Sequence, residues 1–491
     1  MVNRLFWYVA MLLLSGEAQS GTESAADAPD APTQAQADLR ERLTARQDKR
    51  RAVNPWTTEI AGRPLTVSGE FGFDFEKARR RIPDSLASER ERRSGLNLEV
   101  EAFYSINDAL SLFAQWRLAS EKQRSSASTG LRRSRYVERG EMWLHSRDFA
   151  GSGLNLEIGR LKFEDERRWW WDEELDALRV SYERDELELS FALARELGRN
   201  RSDRRRIDAQ QDGIARWIAQ VGWDWRADQK ISLFVLHHDD RSNTERLAQT
   251  VPVAAQDGSD ARLTWIGASL HGEVALRATQ SVHYWIDLAH LAGHERSARF
   301  EPVGPPASQQ SVVTGVSSGR LGGWAVDAGV RWHLPLPGDP RLSVAHASTL
   351  GGTFGADRAF RQSGLHTNQN NFGGMRDFSR YGAALDPELS NLRITTIGLG
   401  LSIPETSSVD IVYHRYRQVN PSKELREARI PAELTGLHTG IGSGLDLVAT
   451  FYPSQSVELS ATVSTFRSGK AFGSLASRRH HYAALALRVT F

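Results

Sequence analysis

Hydrophobic and polar residues alternate along most of this chain with a period of two. Leu65, Val67, Phe71, Phe73 and Phe75 fall on one face of an extended segment, and Thr66, Ser68, Glu70, Gly72, Asp74 and Glu76 on the other. That period sends successive side chains to opposite faces of a β-strand. The run from 65 to 76 is long, because a globular strand averages about 5–6 residues whereas a tilted membrane strand needs about 9–11. The chain also ends in this pattern, with Ala483, Leu485, Leu487, Val489 and Phe491 on one face and Tyr482, Ala484, Ala486, Arg488 and Thr490 on the other. So apolar a terminal edge invites association unless a partner strand closes it, and closure into a membrane barrel supplies that partner.

The same signature predicts strands near 65–76, 96–106, 110–119, 136–146, 154–163, 176–183, 186–196, 214–226 and 230–238. A second set follows near 262–272, 275–293, 321–333, 341–348, 391–402, 407–417, 443–452, 456–467 and 480–491. Tight turns at Asn107-Asp108, Gly151-Ser152-Gly153, Arg184-Asp185, Ala227-Asp228 and Pro453-Ser454 alternate with long polar segments at 120–135, 197–213, 239–261, 294–320 and 349–390. Eighteen strands is an even number, and short turns alternating with long loops is the topology of a bacterial outer-membrane barrel. The expected fold is therefore all-β: one 18-stranded antiparallel transmembrane barrel with short periplasmic turns, long extracellular loops and both ends of the barrel domain in the periplasm.

The segments before the barrel read differently. Residues 1–20 pair Arg4 with an apolar run from Leu5 to Leu14 and end in small residues at Ala18 and Ser20, the form of a secretory signal peptide and shorter than a spanning helix. Residues 21–64 have no sustained apolar period and read as a mobile periplasmic tail, with a short helix near Leu39 to Arg51. The barrel domain is expected over 65–491.

Composition removes several classes of function. Mean hydropathy is −0.45 and no run after residue 20 is apolar enough for a membrane helix, which a barrel accommodates because half of each strand faces a polar lumen. With no cysteine, disulfide scaffolds, thiolate metal sites and cysteine nucleophiles are excluded together. Net charge is +1, so there is no bulk attraction for nucleic acid. Only seven of the 62 basic side chains are lysines, which leaves 55 arginines; a guanidinium suits carboxylates and phosphates, and a GC-rich genome gives the same bias.

Face assignment places candidate chemistry inside the barrel. Trp217, Trp223 and Trp225 share a face with Ala215, Ala219 and Val221, as interface-girdle residues do, although buried core aromatics give the same alternation. The opposite faces carry Arg117, Arg216, Arg226, Arg331, Arg488 and Lys162 together with Glu70, Asp74, Glu99, Glu101, Asp224 and Asp327. Most such charges pair across neighbouring strands; a ring of one sign at a constriction is what selects ions. Two loops are candidates for that constriction. One runs Phe163 to Asp172 and carries Trp169, Trp170 and Trp171 among charges, which suits either stacking on sugar rings or packing inside the barrel. The other, 349–390, carries Arg376 and Arg380. His237-His238-Asp239-Asp240 and His480-His481 do not form metal sites by themselves, since neighbours on a strand face opposite ways. No metalloprotease helix, phosphate loop or dinucleotide motif occurs, and no Ser/His/Asn spacing singles out a barrel lipase.

Several stretches resemble the alginate-export outer-membrane proteins: Lys230 to Asp240, Leu263 to Leu270, Val326 to Trp332, Ser363 to Leu392 and Gly440 to Tyr452. Within them lie Thr264-Trp265, Val326-Asp327, Arg331-Trp332, Asn371-Phe372 and Glu388-Leu389-Ser390-Asn391-Leu392. The similarity covers most of the chain after residue 65. It implies an eighteen-stranded barrel that passes an anionic polysaccharide outward through a narrow, arginine-rich constriction. Lys162 falls at one of the family's basic positions, Asp172 at its acidic loop partner, and Arg376 and Arg380 in the matching long loop; Thr66, Glu99, Gly140, Ser460 and Thr462 stand where the family is basic. The pore or substrate-path candidates are thus Lys162, Asp172, Arg376, Arg380, Arg331 and Arg117.

The expectation is a passive, non-enzymatic outer-membrane channel of the alginate-export type, with a porin for small solutes as the alternative. It needs no cofactor and no metal. Its expected partners are outer-membrane lipid and lipopolysaccharide, periplasmic polysaccharide-export proteins and the barrel-assembly machinery, with no nucleic acid.

Overall fold

The computed structural model describes residues 55–81, 88–126, 131–240, 242, 245–277, 280–304, 309–350, 359–404, 406–430 and 433–491. The expected signal peptide and the short helix near Leu39 to Arg51 lie outside them. The first half of the molecule comprises β1 (Trp56–Ile60), β2 (Arg63–Arg81), β3 (Ser88–Ser105), β4 (Leu110–Ser125), β5 (Leu131–Ser146), β6 (Leu154–Glu164), β7 (Asp172–Arg184), β8 (Leu187–Ala194), β9 (Ile214–Arg226), β10 (Gln229–Asp240) and β11 (Thr250–Pro252). The second half comprises β12 (Ser259–Arg277), β13 (Gln280–Val303), β14 (Gln310–His333), β15 (Arg341–Leu350), β16 (Gln369–Asn370), β17 (Phe378–Ser379), β18 (Leu392–Ile403), β19 (Ser407–Gln418), β20 (Gly440–Ser454), β21 (Val457–Ser468) and β22 (Arg479–Thr490). Without β1, β11, β16 and β17 these make a closed antiparallel barrel of eighteen strands.

The barrel closes where the terminal pattern requires. β22 runs antiparallel to β2 from Glu70↔Thr490 to Arg79↔His481, and Gly69 and Phe491 exchange backbone hydrogen bonds of 3.1 and 3.0 Å. Order starts ahead of Leu65, because β1 folds back on the first residues of β2, from Ile60↔Arg63 to Trp56↔Val67. Inside a hydrocarbon layer each unpaired N–H or C=O would cost several kcal/mol, so the ring of pairings is the condition for the fold. One seam is short: β5 and β6 pair only from Met142↔Arg160 to Ser146↔Leu156. Above it the loop 195–213 takes the free edge of β5, with Arg139 N–H donating to Asn200 and Ser202 N–H to Val137 at 2.8 and 2.9 Å.

Alternation sorts the faces. On the outside Leu233, Ile266, Leu399 and Val463 are exposed, the lipid-facing half of each strand. Trp217, Trp223 and Trp225 are exposed as well, which places them in the outer wall and not in a buried core. The described parts of two of the long polar segments, 120–135 and 294–320, are largely strand. β4 continues through Ser125 and β5 starts at Leu131, while β13 and β14 are hydrogen-bonded from Val303↔Gln310 downwards. Beyond the bilayer neither face meets lipid, so the apolar period stops although the ladder of backbone hydrogen bonds goes on. β12 runs to Arg277, five residues past the end that the hydropathy pattern suggests, and β13 begins at Gln280.

The buried apolar cluster lies inside the barrel. Trp169, Trp170, Leu365, Tyr381, Leu385, Leu389, Ile430 and Phe472 belong to loops that fold inward and pack against wall residues such as Phe234, Trp265 and Ile394. A large aromatic side chain removes about 150–250 Å² from water, roughly 4–6 kcal/mol gross, enough to hold a loop in a wet lumen.

Closure makes a specific demand at Gly69, where an added Cβ would come within 2.4 Å of the Glu99 carbonyl oxygen and 2.5 Å of the Phe491 ring. Gly69→Val is expected to destabilise the barrel by about 1–3 kcal/mol, read as a lower urea midpoint for loss of heat-modifiable migration on gels. Gly95→Ala on β3, with open space around its Cβ, is expected to leave that midpoint within about 0.5 kcal/mol of the parent.

Candidate transport lumen

Two loops cross the lumen, and one carboxylate shapes the first of them. Between β6 and β7 the chain turns around Asp165, whose side chain accepts from the backbone N–H groups of Arg167, Trp169, Trp170 and Trp171 at 3.2, 3.1, 2.8 and 2.9 Å. Wrapped in this way, the loop turns all three tryptophans inward and buries them. Trp170 and Trp171 pack on Phe234 with ring centroids 4.1 and 5.1 Å away. Of the two uses open to this triplet, the structure shows packing.

The second loop, described from residue 359 to 391, zips onto the first. Trp171 pairs with Leu365 in a parallel bridge, Asp172 N–H donates to Leu365 at 2.6 Å, and Trp169 Nε1 donates to the Tyr381 hydroxyl at 2.7 Å. The two loops share one charged contact with the wall. Asp287 on β13 and Asp327 on β14 stand opposite each other in register, and both are buried. Two buried like charges side by side require a shared cation. Arg167 supplies it, reaching Asp287 at 2.7 Å and Asp327 at 3.1 Å with its guanidinium 4.5 Å from the Trp285 ring centroid.

Other groups complete the cluster. Asp327 also accepts from the Trp285 indole at 2.9 Å and from the Tyr381 hydroxyl at 2.8 Å. Burial, reinforced by Asp327, raises the Tyr381 phenol well above its ordinary range, so it stays a donor. Arg380 lies 3.6 Å from Asp327 and donates to the Arg167 carbonyl. His271 bridges Asp287 and Glu166 at 2.9 and 3.1 Å.

Around this plug the lumen is divided into cavities. One, about 490 Å³, is lined by Asp228 and Gln229 of a short turn and so opens toward the periplasm; its roof includes Arg167, Asn371 and Tyr381. A second, about 390 Å³, lies against the opposite wall and holds six carboxylates, Glu70, Asp74, Glu76, Glu99, Glu121 and Glu138, against Arg93, Arg117 and Arg488. A third, about 330 Å³, contains Lys162, Glu157 and Arg179.

The six candidate residues are not one constellation. Arg331 and Arg380 line the periplasmic cavity. Arg380 is buried at the Asp327 cluster, whereas among the described residues Arg331 meets no carboxylate within ion-pair distance and donates only to Asn371, at 3.5 Å. Lys162 and Asp172 pair with each other at 2.5 Å, and Thr367 donates to the same carboxylate at 2.6 Å. Arg117 sits on the acidic wall, held by Glu99 at 2.7 Å and Glu138 at 3.3 Å. Arg376 reaches Glu458 at 3.1 Å and donates to Ser460, one of the positions expected from the family resemblance to be basic, so a loop arginine brings positive charge there. At Gly140 a side chain would come within 2.1 Å of Gln115 Oε1 and needs that residue to move.

Sequence reasoning missed Arg167, Asp287 and His271. Asp287 had a local signal, a lone acid between outward-facing Ile286 and Leu288, and it stands directly opposite Asp327. Arg167 had none, because its partners lie over a hundred residues away. Among the described residues one group of carboxylates has the spacing to hold a cation, Asp240, Asp257 and Asp260 within 4.8 Å of one another; it lies at the outer rim, away from the lumen.

Comparison with known proteins places the chain. The sequence model of the alginate export family matches residues 69–486. The alginate production protein AlgE of Pseudomonas aeruginosa is 26% identical over 337 residues, 67% of this chain and 66% of the relative. AlgE of Azotobacter vinelandii is 23% identical over 299 residues, 58% and 60% of the two chains. The match to these two relatives thus spans slightly under two thirds of their length. Among solved structures, OccK7 (OpdD) of Pseudomonas aeruginosa superposes with a TM-score of 0.53 at 13% identity, covering 88% of this chain and 99% of that one. OccK5 (OpdH) gives 0.52 at 10% identity, covering 86% and 98%. These two share the fold. Matched over most of its length, the chain belongs to the alginate export family and is an outer-membrane β-barrel.

Proposed function

We propose that this protein is a passive channel that lets an anionic, uronate-type polysaccharide leave through the outer membrane, with the loops 165–171 and 359–391 as its plug. The observation that carries this reading is the plug's anchorage. Arg167 of the first loop reaches Asp287 and Asp327 on the wall, and Arg380 of the second donates to the Arg167 carbonyl and stands beside Asp327. One buried cluster thus couples the two loops and lets them move as a unit, while further wall contacts such as Arg376–Glu458 hold the second loop. In the periplasmic cavity, Arg331 is the basic side chain left available to a polymer carboxylate. Polymer would be delivered by periplasmic export proteins, and transport needs neither cofactor nor chemical step.

A specific observation favours a second reading, a porin for small solutes. The acidic wall has six carboxylates for three arginines, and all three arginines are paired: Arg93 with Glu121 at 3.0 Å, Arg117 with Glu99, and Arg488 with Asp74 at 2.5 Å. Planar-bilayer recordings separate the two. Anion selectivity with block by oligomannuronate is expected for export; unselective conductance indifferent to the oligosaccharide would establish the porin.

Two substitutions sharpen the assignment. Arg167→Ala removes the cation shared by the two buried carboxylates and leaves only His271 and Arg380 as their charged neighbours, a loss of about 3 kcal/mol of plug anchorage; several-fold higher mean conductance is expected, with barrel closure on gels unchanged. Arg331→Gln removes the unpaired guanidinium, and block by oligomannuronate is expected to weaken roughly tenfold while unblocked conductance stays near the parent value.

A further inference from the structure

The outer wall carries a charge pattern that transport through the lumen does not use. On β2 to β4 the outward face is apolar up to the row Phe71, Leu98 and Leu118, which continues in register to Val137 of β5; below Val137 the bulged β5 carries Arg139, tied to Asp176 at 2.9 Å. Above this row it becomes cationic. Lys77 stands opposite Arg92, and Arg92 opposite Arg124. Arg79 stands opposite Arg90, Lys122 opposite Arg133, and Arg135 lies across from Ser120. All eight cations are exposed, and no described residue forms an ion pair with any of them. The outward positions of these four strands include no acid at all.

The inward face of the same segments is the opposite case. There Arg80 pairs with Glu91, Arg93 with Glu121 at 3.0 Å, and Gln123 and Ser125 donate to Glu91 and Glu89 at 2.7 and 2.9 Å. Arginine is thus common on both faces, but every carboxylate faces inward. A genome-wide bias toward arginine does not produce that sorting. Like charges directly opposite on adjacent strands, about 4.5–5.5 Å apart, destabilise a sheet, so the outward rows call for a polyanion.

Height decides which one. At about 3.3 Å per residue and a tilt of about 40°, the outward run from Leu65 to Phe75 climbs about 25 Å, the height of the apolar band of such barrels. The cations begin at the next outward residue, at the level of the outer-leaflet headgroups, and they face away from the lumen. A solute in transit does not meet them; a lipid standing against the barrel does. Guanidinium groups bind phosphate in bidentate fashion. We propose that the outer ends of β2 to β5 form a docking site for a phosphorylated glycolipid of the outer leaflet, its acyl chains against the Phe71–Leu98–Leu118–Val137 band and its phosphates among the arginines. This rests on the outer-membrane placement and not on the identity of the exported polymer.

The full-length protein in detergent, titrated with bis-phosphorylated lipid A and with its dephosphorylated counterpart and followed by native mass spectrometry, tests the site. Retention of the phosphorylated form at least tenfold tighter is expected. The variant Arg90→Gln/Arg92→Gln/Lys122→Gln/Arg124→Gln is expected to lose that preference, each cation being worth on the order of fivefold near an anionic surface. Arg93→Gln, on the inward face of β3, is expected to keep it. Equal retention of the two lipids by the parent protein would overturn the proposal whether or not the quadruple variant folds. So would a quadruple variant that folds and keeps the preference, or oligomannuronate that displaces the phosphorylated lipid from the parent, which would make this face a polysaccharide surface. Bilayer conductance reads the channel independently, so failure here leaves the transport reading standing and the reverse also holds.

Discussion

A strand edge left open inside hydrocarbon has nothing to hydrogen-bond, and that constraint organises the molecule. It requires eighteen strands to meet end to end, ties the final residues to Gly69 to Arg79, and covers the one weak seam, between β5 and β6, with backbone from the loop 195–213. Once the ring is closed, the two faces of each strand belong to different solvents. Lipid fixes the outer one as apolar, and the inner one is free to hold charge. All the chemistry follows from that freedom.

Charge inside a barrel is nevertheless confined. Carboxylates and guanidiniums on neighbouring strands lie close together in a confined space, so an unpaired charge is costly and most find partners. The lumen accordingly contains ion pairs far more often than free cations: Lys162 with Asp172, Arg117 with Glu99, Arg488 with Asp74. Asp287 and Asp327 are the exception in kind. Adjacent on the wall and alike in sign, they do not neutralise each other and so recruit Arg167 from the loop 165–171. A wall built with a local excess of negative charge thus determines where a cationic loop comes to rest.

The wall was legible in the sequence and the plug was not, for one physical reason. A strand in a bilayer shows its environment in its own residues, because lipid and lumen alternate every second position; β9 shows its girdle tryptophans and β22 its need of a partner without reference to the rest of the chain. Where lipid ends the signal ends too, which is why 120–135 and 294–320 read as loops although their hydrogen bonds continue. The plug is written in pairs distant along the chain, Arg167 with Asp287 and Trp169 with Tyr381, and no local period records them. Of the candidate residues, those on strands could be assigned to the lumen from alternation, but not paired. Arg380 could be placed in an important loop and its buried position beside Asp327 could not.

The same alternation shows why a net charge of +1 misleads. Acids and bases nearly cancel in the sum, yet on β2 to β5 they are separated by the thickness of one sheet, acids inward and an unopposed set of cations outward. Separation of this kind across a wall has no effect on the total and a large one on each surface, because field falls off over about 8–10 Å in salt. The lumen side of these strands is negative for whatever passes through it, and the membrane side is positive for whatever stands beside it. A barrel that moves a polyanion gains from that arrangement only if the polymer keeps to the side of β13 and β14, where Arg331 lines the periplasmic cavity. On the proposed export reading, the acidic half of the wall would repel such a polymer toward the side on which Arg167 anchors the plug.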